Sequence, residues 1–195
     1  MAREKLSNDL KIAIKELSHK EKDKLLLRLI PQNELLVRQL EFNLLENGET
    51  TESRKIELRE EVIERAKIYP DRFYSPGYLM MHMRDMSGYI TQHVSVTKDK
   101  LGEVELNLIM LISFFGNNKT VLAHQGFNNV FKLNEYVVKR VLKLLKLIEK
   151  LDQDYYIEFQ EDMQTIGQLI GEHDTTMRVA IQNGLDVNLL LHFNE

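Results

Sequence analysis

At 195 residues, 43% hydrophobic and 29% charged, with a mean hydropathy of −0.32, the chain belongs with folded globular proteins rather than disordered or membrane-spanning ones. It has no cysteine, which excludes disulfides, thiolate metal sites and cysteine nucleophiles and fits a cytoplasmic location. The net charge of −4 is uneven: residues 152–195 hold nine acids and one base, leaving residues 1–151 at +4.

The amino terminus, Met1-Ala2-Arg3-Glu4-Lys5, leads into charged helix, so no signal peptide is expected. Ser7 or Asp9 can cap a first helix carrying Leu10, Ile14 and Leu17 on one side. Ser18-His19-Lys20-Glu21 is a capping box, in which hydroxyl and carboxylate each satisfy an orphan amide. It opens a second helix through Leu25, Leu26, Leu29 and Ile30, stopped by Pro31. Asn33 caps a third, with Leu36, Leu40 and Leu44 inward and Gly48 just past its end. Residues 48–53 form the first credible linker.

A fourth helix is expected over 51–69, ended by Pro70. Ser75-Pro76 pairs a cap with a proline at the first helical position and opens a helix to about Thr97. Residues 99–115 make a sixth, closed by Gly116-Asn117-Asn118, and 119–132 a seventh that Gly126 interrupts. Helices over 133–151 and 155–170 follow, then two short ones near 175–183 and 187–193. No stretch alternates with the period of two that a half-buried strand requires. The expectation is a single all-α domain spanning 1–195: an antiparallel bundle or short stack of helix pairs, about nine to eleven helices, with a weak subdivision near 48–53. The apolar run 106–115 is about half the ~20 residues of a membrane crossing, which predicts a buried helix and no membrane partner.

Three constellations carry chemistry. Along 136–151, Val137, Val141, Leu144, Leu145, Ile148 and Leu151 share one side, and Lys139, Lys143, Lys146 and Lys150 form the opposite stripe with Arg140 beside it. That face suits a partner or the phosphates of nucleic acid. The acids Asp154, Glu158, Glu161 and Asp162 would partly neutralise it if the two helices form a hairpin.

Glu57, Glu60, Glu61 and Glu64 crowd one helix face, where magnesium or manganese would relieve their repulsion. The string Glu60-Glu61-Val62-Ile63-Glu64 resembles the first half of the metal site of the all-α nucleotide pyrophosphohydrolases. That resemblance implies a metal-dependent nucleotide phosphohydrolase whose second half is a Glu-x-x-Asp. The only downstream match is residues 149–152, which would bring Asp152 to the glutamates. His173-Asp174 resembles the dyad of the HD phosphohydrolases, with His82, His93 or His124 upstream and Asp186 downstream.

No phosphate loop, dinucleotide fingerprint or nucleophile elbow occurs. The expected function is therefore a non-catalytic helical interaction or scaffold protein, self-associating or holding a protein partner. Its contact surfaces are expected on 106–115, on the helix of Met80, Met81, Met83 and Met86, and beside Leu147 on the lysine face. The alternatives are the metal-dependent phosphohydrolase and a nucleic-acid binder.

Overall fold

A computed structural model describes residues 5–68 and 70–194, and among them there are helices and no strand. Tyr69, the expected end of the fourth helix, lies outside the described residues. The chain divides into two compact units, 1–48 and 49–195, with the boundary beside Gly48.

The first unit holds α1 (Asn8–Glu16), α2 (His19–Leu29) and α3 (Glu34–Leu40). Their starts follow the capping chemistry of the sequence. Ser7 Oγ accepts from the Leu10 amide, Ser18 and Glu21 form the reciprocal box, and Asn33 Oδ1 accepts from the Leu36 amide at 3.1 Å. A single wide π-type turn, Glu41–Leu45, prolongs α3 and brings the Gly48 amide back to the Phe42 carbonyl at 2.9 Å. Gly48 closes this turn with φ +72°, a left-handed backbone that glycine adopts without strain. Phe42 is the only described side chain of the unit that is buried. The expectation that Leu36 and Leu44 turn inward fails, because both are exposed. Three short helices enclose too little volume to give each leucine an interior.

The second unit comprises α4 (Thr51–Ile68), α5 (Pro76–Thr97), α6 (Lys100–Leu111), α7 (Lys119–Ala123), α8 (Phe127–Ile148), α9 (Tyr156–Gly171), α10 (Asp174–Gln182) and α11 (Val187–Leu191). Helix α6 is its axis, packed against α4, α5, α8 and α9. Val104, Leu106, Leu108, Met110 and Leu111 of α6 are wholly buried, each side chain contributing about 1.5–3 kcal/mol on leaving water. A π-type turn over Ile112–Gly116 extends α6 and buries Phe114 and Phe115. It ends where the buried Asn118 side-chain amide donates to the Phe114 carbonyl at 2.8 Å.

The burial of 106–115 removes it as a contact surface, correcting that expectation. Met83 and Met86 are likewise interior, and only Met81 of the four methionines is exposed. Leu147 is half-buried against the core. The helix expected from Leu133 begins earlier, at Phe127, because Gly126 stands at its N-cap position in an extended conformation rather than breaking it.

Candidate functional site

The amphipathic reading of α8 holds on its apolar side, where Val137, Val141, Leu144 and Ile148 are buried. The main neighbours of α8 are α10, α5 and α6, while α9 packs on α11, α10 and α6. The acids of α9 therefore do not neutralise the lysine stripe. Glu103 of α6 does so instead, 3.0 Å from Lys143 Nζ, and Glu135 lies 2.8 Å from Lys139 Nζ. Lys146 and Lys150 are exposed and make no ion pair among the described residues. Arg140 leaves the stripe altogether. Half-buried, it turns towards α5, donates to Ser87 Oγ and to Tyr136 Oη (3.1 Å), and lies 5.4 Å from the Tyr136 ring centroid.

Between α5 and α8 this arrangement leaves an open cavity of about 470 Å³ lined by Met80, Arg84, Lys132, Glu135, Tyr136 and Lys139. Helical spacing builds it. Positions 132, 135, 136 and 139 fall on one stripe of α8, and 80 and 84 on the facing stripe of α5. Tyr136 is fixed at the centre, its hydroxyl donating to the Met83 carbonyl at 3.3 Å. The Arg84 guanidinium lies 5.7 Å from the same ring centroid, a cation–π placement. Arg84, Lys132 and Tyr136 were not anticipated from sequence. The stripe on α8 is visible there, but nothing in the linear order brings Arg84 opposite it.

The glutamate face of α4 is mostly solvated: Glu57, Glu60 and Glu64 are exposed and Glu61 is half-buried. Glu61 pairs with Arg65, and Glu64 lies 2.6 Å from Lys67 Nζ. Asp152 caps the 3₁₀ turn Gln153–Tyr155, accepting from the Asp154 amide at 3.1 Å. Among the described residues no three histidine, aspartate or glutamate side chains converge to hold an ion, so neither Asp152 and the glutamates nor His173, Asp174 and Asp186 are gathered into a site. His173 packs edge-on against Phe115 with ring centroids 5.9 Å apart.

A second polar cavity, about 310 Å³, lies among α4, α6 and α9 and receives the α9 acids Glu158 and Asp162 together with Lys55, Arg59 and Glu105. Lys55 Nζ sits 2.9 Å from Glu105 and 3.0 Å from Glu52. Burial opposes its charge, but the two carboxylates more than offset this and hold its pKa above the ordinary lysine value. Burial pushes the Asp162 carboxyl up, with Glu161 and Glu105 adding to the shift and Arg59 opposing it. The Lys55–Glu105 pair ties α4 to α6 beside the cavity.

The remaining unusual surface belongs to the first unit. Its described residues expose ten large apolar side chains, as many as the described residues of the second unit expose over three times the length. Leu27 is 73% and Leu45 77% exposed. No described helix is long and apolar enough to cross a membrane.

No protein-family profile matches the chain, and neither a curated protein nor a solved structure matches it.

Proposed function

We propose that the protein is a non-catalytic helical interaction protein, cytoplasmic, whose 1–48 unit joins two copies of the chain. The supporting observation is the exposed leucine surface of that unit, including Leu26, Leu27 and Leu29 on α2 and Leu44 and Leu45 on the turn after α3. Apolar patches of this density on small units mark places where another surface belongs.

Charge selects the occupant. Residues 1–48 carry nine Lys or Arg and eight Asp or Glu, so two copies meet without net repulsion. An anionic membrane or nucleic acid would call for a clear basic excess. Each leucine removed from water on pairing contributes about 1.5–3 kcal/mol before the cost of association.

Light scattering on the full chain tests this. The native particle should weigh at least twice the 22.9 kDa of one chain, and Leu27→Glu with Leu45→Glu should return it to one chain with helicity unchanged. Both side chains are exposed, so the fold does not depend on them. A native protein that scatters as a single chain up to its solubility limit would overturn the reading, as would a doubly substituted protein that stays paired.

A further inference from the structure

We propose that the cavity between α5 and α8 is a binding site for a phosphate monoester, held as its dianion by Arg84 and Lys132 over the Tyr136 ring. The charge count leads there. Of the three cations lining the cavity, Lys139 is engaged with Glu135 at 2.8 Å, and that pair cancels. Arg84 and Lys132 make no ion pair among the described residues. Two uncompensated positive charges face one cavity from two helices, which matches the charge of about −2 on a phosphate monoester near neutral pH.

Preorganisation supports the same ligand. The Tyr136 hydroxyl is held at both ends, donating to the Met83 carbonyl and accepting from Arg140. The ring is thereby anchored, and the Arg84 guanidinium lies 5.7 Å from its centroid. A guanidinium placed over the ring presents its fork of N–H donors to phosphate oxygens. Met80 adds an apolar wall beside the ring, so the site offers an organic body a surface as well as its phosphate a charge. The cavity volume of about 470 Å³ admits a compact molecule.

The site is distinct from the Lys146 and Lys150 end of the stripe, whose side chains are exposed and do not line it. It is also independent of the pairing proposed for residues 1–48, since no residue of that unit lines it.

Calorimetric titration of the full chain at low salt tests the proposal with three probes: phenyl phosphate, inorganic phosphate, and a single-stranded oligonucleotide lacking terminal phosphates. Phenyl phosphate should bind saturably and more tightly than inorganic phosphate. Arg84→Gln and Lys132→Gln should each weaken it about tenfold, the loss expected for one charged hydrogen bond, while Lys146→Gln leaves it unchanged. Both substituted side chains are exposed, so the variants should keep native helicity. Absence of phenyl phosphate binding overturns the proposal, and so does binding that Arg84→Gln and Lys132→Gln leave intact. Binding of the oligonucleotide alone would mean that the cations read a polyanionic backbone, which also overturns it.

Discussion

The Asp99 carboxylate occupies the space in which a side chain at Gly102 would begin. A Cβ there would lie 2.0 Å from Asp99 Oδ2 and 3.0 Å from Lys55 Cδ. The carboxylate is held in place from two directions: Oδ1 accepts from the Gly102 amide at 2.8 Å, and Oδ2 lies 3.3 Å from Nε2 of the buried His93. One aspartate thus starts α6 and clasps it to the last turn of α5.

Gly102→Ala should therefore destabilise the fold. Helix propensity alone would favour alanine by up to ~1 kcal/mol. Against this stand the loss of the cap, about 1 kcal/mol, and a buried histidine deprived of its partner, about 1–3 kcal/mol. The expected net loss is about 1–3 kcal/mol, read from the midpoint of urea unfolding.

Stability should decline as pH falls below about 6.5, in part through His173. Burial lowers its pKa from the ordinary 6.5, with Glu172 opposing and Lys119 assisting, and its Nε2 is buried without a hydrogen-bond partner among the described residues. The unfolded chain takes up this proton first, so acid draws the equilibrium towards unfolding through that window. Unfolding curves at about pH 7.5 and 5.5 should differ less for His173→Gln than for the native chain.

Asp162 works with the opposite sign. Its folded pKa is raised above 3.8 by burial first and by Glu161 and Glu105 after it. Its favourable contribution is complete below 3.8 and disappears as pH rises through the folded value, leaving an ionised group disfavoured at neutrality. Asp162→Asn should raise the melting temperature near pH 7 and lose that advantage in acid near pH 3. An unchanged or lowered melting temperature at neutrality would contradict this assignment.

Magnesium or manganese at about millimolar concentration should leave the melting temperature unchanged, because a preformed site would stabilise the folded state by mass action. Glu61 and Glu64 already face Arg65 and Lys67, and Asp152 caps its own turn. A metal-dependent rise abolished by Glu61→Gln would restore the glutamate face as a site.

Local chemistry was the legible part of this fold. Ser18 with Glu21, Asn33 and Ser75 each announce a helix start that the structure contains, because a cap and the amides it satisfies lie within four residues. The burial of 106–115 also follows from its composition. What sequence could not supply was which helix meets which. Period alone gives a helix an apolar side, so Leu36 of α3 and Val137 of α8 look equally interior, though only Val137 has enough packed around it to be buried. The same limit hid the α5–α8 cavity. Arg140 reads as part of a lysine stripe, and its turn towards Ser87 depends on a helix more than forty residues earlier.

The central position of α6 also bears on how the chain is made. α4 and α5, which precede α6 in synthesis, cover it only in part, while α8 and α9 complete its enclosure. A nascent chain that has just released α6 from the ribosome therefore holds a sticky, half-clothed helix until α9 has emerged. During that interval the apolar side chains of α6 that α8 and α9 will cover have no lasting shelter. A pause or truncation between α8 and α9 would leave one face of α6 open, and one after α9 would still leave α8 and α9 without α10 and α11, their main packing partners.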